Sequence, residues 1–278
     1  MFSLVHSPDD LRVYSLSSGS SGNAMLVQAG DTNLLIDAGL PLKKLSPQLG
    51  KHGVRLPDLH GILLTHEHPD HCSGAGPMAR RTGAPLIANA ATLEAYAHRD
   101  ELAFGTRTIP TGGEIGVGCI GVRSFPVPHD AVEPVGYVLV AGRHQITYFT
   151  DAGSRTSEMQ AALKGANLAI VEANHDLDWL LRGPYTESMK ARVASDTGHL
   201  SNLDCAAMIA ERLEEDGAMC VWLAHLSRVN NSPSLAKRSV NLRVTRQTNV
   251  PFTLEIALRD HPSISWRAGE KAVQLSLL

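Results

Sequence analysis

The sequence predicts an α/β protein built as one αββα sandwich, with helices on the outer faces of two packed β-sheets. Three observations support this fold class. Strand patterns alternate with helical patterns, β-rich and α/β stretches recur in both halves of the chain, and no linker or low-complexity tract separates the halves. We therefore expect a single domain that spans residues 1–278.

The first quarter of the chain has the pattern of a β-meander followed by an α/β unit. The first strand runs into a loop over 17–23, whose serines and glycines favour a tight turn. The third strand ends on Asp37, and the fourth is a buried apolar strand that leads directly into a run of histidines. The predicted elements are strands over 11–16, 24–29, 33–37 and 61–64 and a helix over 41–52.

The rest of the chain continues the alternation of helices and strands. Gly83 is predicted to end one helix and Ser201 to cap the N-terminus of another. From 104 to 140 the pattern changes to short strands and glycine turns, and a loop in that stretch carries His129. The predicted elements are helices over 74–82, 91–97, 157–164 and 202–215 and strands over 85–88, 115–118, 122–125, 145–151, 168–172 and 220–224.

Composition excludes several classes of protein. Hydrophobic residues make up 43% and charged residues 19%, a balance typical of globular domains and unlike that of disordered or membrane proteins. No apolar stretch is as long as a membrane span, and no targeting segment follows Met1, so we expect a cytoplasmic protein without a membrane partner. The four cysteines form no C-x-x-C pair, which argues against a zinc ribbon or a disulfide framework.

Charge and histidine content point to a local site. The net charge of -3 argues against broad, nonspecific affinity for nucleic acids but leaves room for a local basic patch. Thirteen histidines are present, and several lie beside Asp, Gly or Ser at the ends of apolar runs. That placement favours metal chemistry over packing.

The segment over 65–71, which we call the histidine loop, has four potential metal ligands within six residues. So many polar side chains are costly to bury unless a bound cation compensates their desolvation. In an extended loop at a strand end, the alternate side chains of His66 and His68 can face one ion. The adjacent Asp70 and His71 can then turn toward a second ion, so the spacing predicts a dinuclear centre.

The histidine loop and four residues outside it resemble the metallo-β-lactamase superfamily in type and order. The resemblance covers nearly the whole chain and includes Asp37 in Leu-Ile-Asp-Ala-Gly, His129, Asp151 and His225. It implies the metallo-β-lactamase fold, in which two mixed β-sheets pack face to face. It also implies a ligand set: His66, His68 and His129 for one ion, Asp70, His71 and His225 for the other, Asp151 as the bridge and Asp37 as a support for the loop.

Several features narrow the branch of the superfamily. His68 occupies the position where flavodiiron proteins have a glutamate, which favours a hydrolase. Neither the signal peptide of a secreted β-lactamase nor the C-terminal extension of a glyoxalase II-like thioesterase is evident. The interval from Asp151 to His225 is too short for a β-CASP insertion, and no tRNA-binding arm of the RNase Z type is evident.

Three later segments, with Ser-Gly-Ser-Ser-Gly-Asn over 18–23, are similar to RNase Z-like phosphodiesterases and most closely to the bacterial YycJ group, also called WalJ or VicX. They are Glu-Ala-Asn-His-Asp over 172–176, Gly-His-Leu-Ser-Asn over 198–202 and Leu-Ala-His-Leu-Ser-Arg-Val-Asn-Asn over 223–231. That group is linked to DNA exonuclease activity. The resemblance therefore implies cleavage of phosphodiester bonds at DNA ends.

The same resemblance assigns roles around the metals. Asp70 is expected to orient or deprotonate the attacking water, and His199 to donate a proton to the leaving oxygen or stabilise the charged transition state. Glu172 is expected to support the site from behind the ligands. Small polar side chains that could contact substrate phosphates are Ser20, Asn23, Ser227 and Asn230. The two divalent ions are expected to be Zn²⁺ or Mn²⁺, and iron also suits these ligands.

Two other functions remain open at this stage. The same dinuclear centre could hydrolyse a small substrate such as a cyclic phosphodiester, a lactone or a thioester. A nonenzymatic regulator that uses its metals only for stability is the less favoured alternative. The sequence indicates neither the oligomeric state nor the direction of cleavage.

Overall fold

Two seven-stranded mixed β-sheets pack face to face in the computed structural model, and helices cover both outer faces. The structure describes residues 10–98, 100 and 105–270. The predicted αββα sandwich is confirmed. Within these ranges no helix is both long enough and apolar enough to cross a membrane. Two expectations fall outside the described residues: that no targeting segment follows Met1, and that the stretch of short strands begins at Phe104.

The strands follow the predicted pattern closely, with small shifts of their ends. Their bounds are β1 Leu11–Ser17, β2 Ala24–Ala29, β3 Thr32–Ile36, β4 Gly61–Leu63, β5 Leu86–Ala88, β6 Thr106–Thr108, β7 Glu114–Val117, β8 Ile120–Pro126, β9 Val135–Ala141, β10 His144–Phe149, β11 Leu168–Glu172, β12 Met219–Ala224, β13 Phe252–Ile256 and β14 Ser265–Arg267.

The helices include every predicted one. Their bounds are α1 Leu42–Lys51, α2 Pro69–Cys72, α3 Ala75–Thr82, α4 Ala90–Ala97, α5 Ser157–Leu163, α6 Leu177–Arg182, α7 Glu187–Val193, α8 Asn202–Asp216 and α9 Pro233–Gln247, with a 3₁₀ turn at Leu56–Asp58. Gly83 ends α3 in the left-handed conformation, and the Ser201 hydroxyl accepts the Asp204 N–H at the start of α8, as predicted.

Each sheet joins an antiparallel half to a parallel half. The first sheet has the order β14-β1-β2-β3-β4-β5-β6 and is parallel from β3 to β6. The second has the order β13-β12-β11-β10-β9-β8-β7 and is parallel from β10 to β13. Parallel neighbours end at the same edge of a sheet, so the loops that follow β10, β11 and β12 lie side by side.

The hydrophobic core consists of three layers. The inner layer packs the facing sides of the two sheets together, with Leu34 and Met25 on one side and Tyr137 and Trp222 on the other. The outer layers pack α1, α3 and α4 on the first sheet, and α5, α8 and α9 on the second. Each large side chain removed from water in this way contributes roughly 1.5–3 kcal/mol. This core makes the strand ends a rigid platform for the loops.

Helices α2, α6, α7 and α9 and strands β13 and β14 were not predicted, and β6 and β9 lie in the stretch over 104–140 that was predicted only as short strands. Helix α9 buries only Ala236, Val240 and Val244, and most of its other residues are polar, so its hydrophobic pattern is weak. Strand β14 has three residues and is held by pairing with β1. Short or polar elements of this kind depend on tertiary contacts that a local pattern does not display.

Candidate metal centre

Three site residues adopt the left-handed backbone conformation directly after or near strand ends. The φ angles are +59° at Asp37, +57° at Asp151 and +53° at His225. Such angles are uncommon for residues other than glycine, and they cluster at functional sites where the surrounding structure imposes them. Here the turn at each strand end directs a ligand or a supporting carboxylate toward the same point.

The histidine loop changes conformation halfway along its length. It leaves β4 and runs extended to His68, after which Pro69 occupies the first position of the one-turn helix α2. Proline is well suited to that position because its ring fixes φ and the first helical N–H needs no partner. The extended half presents His66 and His68, and the helical turn presents Asp70 and His71.

The first ligand cluster consists of His66, His68 and His129, whose ligand atoms lie within 4.8 Å of one another. Nε2 of His66 is 3.1 Å from Nδ1 of His68. Nδ1 of His129 lies 3.0 Å from the carbonyl oxygen of Gly198, to which it can donate its proton. That bond leaves Nε2 of His129 as a ligand atom, which is the usual arrangement of a metal-binding histidine.

The second cluster consists of Asp70, His71 and His225, again within 4.8 Å of one another. Oδ2 of Asp70 lies 3.6 Å from Nε2 of His71 and 3.6 Å from Nε2 of His225. The side chain of Asp70 is 24% exposed, whereas both histidines are buried. Asp70 is therefore the member of this cluster that water and substrate can reach.

Asp151 lies between the two clusters. Its Oδ2 is 3.0 Å from Nε2 of His71, and its Oδ1 is 3.3 Å from Nδ1 of His225 and 3.8 Å from Nε2 of His129. The carboxylate thus contacts one histidine of the first cluster and two of the second. The bridging role that the resemblance implied for Asp151 stays a prediction, with which this placement is compatible.

Glu172 supports two histidines at once. Its Oε1 is 2.8 Å from Nδ1 of His225 and 2.9 Å from Nδ1 of His199, and its Oε2 accepts the N–H groups of Ala152 and Leu200. The carboxylate is fully buried, and although burial would raise its pKa, the nearby His199 and His225 lower that pKa. Glu172 stays ionised and orients both imidazole rings.

Asp37 performs the corresponding task behind the histidine loop. Its Oδ2 is 2.7 Å from Nδ1 of His71, and its Oδ1 accepts the backbone N–H of Thr65 at 2.9 Å. The hydroxyl of Thr65 lies 3.1 Å from both carboxylate oxygens and 2.9 Å from Nδ1 of His66. One buried carboxylate therefore holds the start of the loop and fixes the ring of His71.

The buried polar atoms of the site fit a bound cation. Within the described residues, Oδ2 of Asp151 and Nε2 of His225 are buried and make no well-aligned hydrogen bond, although they lie 3.0 Å from Nε2 of His71 and 3.6 Å from Oδ2 of Asp70 respectively. Burial and the neighbouring His71 lower the pKa of His66, whereas the carboxylates of Asp151, Asp70 and Glu172 overcome burial and raise the pKa of His225 to about 10. Buried ligand atoms that make no hydrogen bond cost free energy unless metal ions bind them, so the donor set suits divalent cations.

The sequence reasoning missed three contributors to the site. Thr65 connects Asp37 to His66, and the carbonyl of Gly198 orients His129. The carboxylate of Glu67 accepts the N–H of Val132 at 3.1 Å, which ties the loop carrying His129 to the histidine loop. The available signal was that each of the three is next to a predicted site residue in the chain.

The four predicted phosphate contacts have different environments. Ser20 is exposed. Asn23 is fully buried, where Nδ2 lies 2.9 Å from Nε2 of His71 and Oδ1 accepts the N–H of Gly19. Ser227 is buried and accepts the N–H of Asn230, whose own side chain is fully buried. For all four a phosphate contact stays a prediction. Asn23 and Ser227 hydrogen-bond within their loops, whereas both polar atoms of the Asn230 side chain are buried without a hydrogen bond in the described residues.

Comparison with known proteins agrees with this geometry. Residues 32–225 match the model of a family described as the beta-lactamase superfamily domain. The chain belongs to the beta-lactamase superfamily. Within this superfamily, the chain is 37% identical over 233 residues to the exodeoxyribonuclease YycJ of Bacillus anthracis, which covers 81% of this chain and 86% of that relative. It therefore belongs to the YycJ and WalJ group.

Two further comparisons agree with membership of the beta-lactamase superfamily. The exodeoxyribonuclease WalJ of Streptococcus pneumoniae strain D39 is 37% identical over 225 residues, 80% of this chain and 83% of the relative. Among solved structures, the metallo-beta-lactamase fold protein YhfI of Bacillus subtilis superposes with a TM-score of 0.71. It is 18% identical and the match covers 93% of this chain and 100% of YhfI, which demonstrates the shared fold.

Proposed function

We propose that the protein is a metal-dependent phosphodiesterase that removes nucleotides from DNA ends with two divalent metal ions. One observation carries the proposal: two ligand clusters share Asp151, and His199 lies beside them on the carboxylate of Glu172. Support for the substrate comes from the relatives, which are named exodeoxyribonucleases at 37% identity. Zn²⁺ and Mn²⁺ are the ions we propose, with iron as a further candidate.

The proposed ligand sets follow the two clusters. His66, His68 and His129 would hold one ion, Asp70, His71 and His225 the other, and Asp151 would contact both. Two such ions, when bound, supply a hydroxide nucleophile near neutral pH and withdraw charge from the phosphoryl oxygens. Asp37 and Glu172 orient the histidines, since each fixes a ring nitrogen that faces away from the proposed ion.

Two residues are available for proton transfer. Asp70 is partly exposed and can accept a hydrogen bond from the attacking water, which orients it toward the phosphorus atom. His199 uses Nδ1 for Glu172 and retains Nε2 for the substrate, and its side chain is 17% exposed. We propose that this nitrogen donates a proton to the leaving oxygen, which would otherwise depart as an alkoxide.

The test is cleavage of end-labelled DNA by the pure protein. Wild type should shorten double- or single-stranded DNA stepwise with Mn²⁺ or Zn²⁺ and leave it intact with EDTA. His199→Ala should cleave about 10²–10⁴ times more slowly at unchanged metal content. His98→Ala is the matched control, because His98 is an exposed residue at the end of α4. Intact DNA under all metal conditions would refute the proposal.

A parallel panel separates the small-substrate alternative. Bis-p-nitrophenyl phosphate and a thioester are incubated with the same metal-loaded protein. Hydrolysis of these compounds, with DNA left intact, would favour a small-molecule hydrolase. DNA as the substrate would also fit our prediction of a cytoplasmic protein.

A further inference from the structure

Three cationic side chains lie near one carboxylate, that of Asp260, beside the loops that follow β12 and β13. Nη2 of Arg228 lies 2.9 Å from Oδ2 of Asp260, and the charges of Arg259 and Lys44 also act on this carboxylate. We call Lys44, Arg228 and Arg259 the cationic corner. Its members come from α1, from the loop after β12 and from the loop after β13, so only the folded chain brings them together.

The cationic corner is connected to His225, a proposed metal ligand, through the chain and through backbone hydrogen bonds. Arg228 follows His225 by three residues, a reach of at most about 11 Å along the chain. The backbone N–H of His225 donates to the hydroxyl of Ser18 at 2.9 Å, and the N–H of Ser18 donates to the carbonyl of Leu258 at 3.0 Å. The loops that carry Arg228 and Arg259 are thus joined to the second ligand cluster.

The charge of the corner is opposite to that of the protein. Asp260 neutralises only one of the three cations, which leaves an excess of two positive charges, whereas the whole chain has a net charge of -3. Burial and the nearby Arg228 both lower the pKa of Arg259, which is the expected effect of two guanidinium groups held close together. Like charges gathered at one place are unfavourable unless an anion offsets them.

The loops around Asp260 hold the corner in a defined shape. Asp260 has a φ of +65°, and its Oδ1 accepts the hydroxyl of Ser21 at 2.6 Å. Gly19 packs so closely on the stem of Arg259 that a Cβ atom there would lie 2.5 Å from Cγ of the arginine. Nη1 of Arg259 donates to the carbonyl of Leu226 at 2.9 Å. The glycine at position 19 therefore leaves the space that the side chain of Arg259 occupies.

We propose that the cationic corner binds the phosphate backbone of the DNA strand whose end enters the metal centre. The proposal rests on the proposed function and names the surface that holds its substrate. Phosphate contacts position a strand without reading its bases, as an exonuclease requires. Arg228 makes most of the phosphate contact, because it can exchange Asp260 for a phosphate. Its side chain is 67% exposed, and that of Asp260 is 48% exposed.

The test measures the salt dependence of DNA binding in holoenzyme that carries His199→Ala, so that cleavage is slow during the measurement. In that background, Arg228→Gln and Lys44→Gln should each reduce the slope of log affinity against log salt concentration by about 0.7–0.9, the value for one lost phosphate contact. Arg228→Lys should retain the slope, since it retains the charge. Arg55→Gln is the matched control, because Arg55 also pairs with an aspartate, Asp58, but lies before β4, at the end opposite the histidine loop.

DNA cleavage is the second readout, and it is measured in protein that retains His199 and all residues of the metal centre. Arg228→Gln should raise KM for DNA about fivefold with kcat nearly unchanged, and should leave hydrolysis of bis-p-nitrophenyl phosphate unchanged. A salt slope equal to that of wild type in both Arg228→Gln and Lys44→Gln would overturn the proposal. That result differs from failure of the proposed function, in which wild type would leave DNA intact whatever its affinity.

Discussion

Glu172 and His225 form a buried pair in which Nδ1 of the histidine donates to Oε1 of the carboxylate at 2.8 Å. The bond determines which ring nitrogen carries the proton and leaves Nε2, which makes no hydrogen bond within the described residues, as the proposed ligand atom. Because the same oxygen also lies 2.9 Å from Nδ1 of His199, one carboxylate links a metal ligand to the proposed proton donor.

Replacement of Glu172 by glutamine should weaken metal binding. The amide is uncharged and has one oxygen: if that oxygen faces His225, the NH₂ group faces the N–H groups of Ala152 and Leu200, from which it cannot accept. The side chain would then hold the ring of His225 less firmly. We expect a loss of about 10–100-fold in metal affinity, measured by competition with a coloured chelator. Glu158→Gln is the control, because Glu158 lies exposed in the first turn of α5. Wild-type affinity in Glu172→Gln would contradict the role assigned to this carboxylate.

Removal of metal should destabilise the fold. The clusters bury ligand atoms of Asp151 and His225 that make no well-aligned hydrogen bond in the described residues, and ions that bind only the folded state stabilise it by mass action. At a free metal concentration of about 100 times Kd the stabilisation is roughly 2.7 kcal/mol, and chelation should lower Tm by several degrees. Differential scanning calorimetry with and without EDTA provides the measurement. An unchanged Tm after complete removal of metal would show that a bound cation does not stabilise the folded state through these buried atoms.

Two glycines should respond to alanine in opposite ways. A Cβ at Gly39 would lie 1.7 Å from the carbonyl oxygen of Asp70, so Gly39→Ala must displace the histidine loop. We expect it to lower both the free energy of unfolding and the metal content. Gly50 lies within α1 with nothing within 4 Å of its Cβ position, so Gly50→Ala should stabilise the protein by about 0.5–1 kcal/mol. Urea unfolding and metal analysis of both variants test the pair, and a tolerated Gly39→Ala would argue against close packing of the loop.

Asp10 should stabilise the edge of the first sheet in a manner that depends on pH. Its carboxylate accepts from Nη2 of Arg12 at 2.6 Å and from Nε of Arg267 at 2.8 Å, which joins β1 to β14. Chiefly the bond to Arg12, and also Arg267, lower the pKa of Asp10 below its usual value. Its contribution is therefore present above about pH 4, the usual pKa of an unfolded aspartate, and is lost as the pH falls through the lowered pKa.

The variant Asp10→Asn measures this contribution. Because both arginines are partly exposed, we expect a loss of only about 0.5–1 kcal/mol at pH 7. The difference from wild type in urea unfolding should shrink as the pH falls below about 4. A difference that persisted at the lowest pH would mean that Asp10 acts by packing and not by its charge.

The candidate ligands were predicted from the sequence on two grounds, the dense spacing of the histidine loop and the family resemblance, which added His129, Asp151 and His225. His66, His68 and Asp70 lie within a few residues, and His129 and Asp151 occur in the expected order. The fold class was readable for a similar reason, since long alternating patterns report which faces are buried. These features are patterns along the chain, which can be recognised in the sequence without the structure.

Tertiary structure decided the features that depend on strands pairing across long intervals. Glu172 lies between His199 and His225 because β11 and β12 are parallel neighbours that end at one edge. The same packing buries Asn23 against His71, a contact that the sequence did not indicate. The sequence by itself thus determined which side chains could bind metal and in what order they occur. Only the folded sheets decided which of them meet, because residues far apart in the chain become neighbours only when the two sheets pack together.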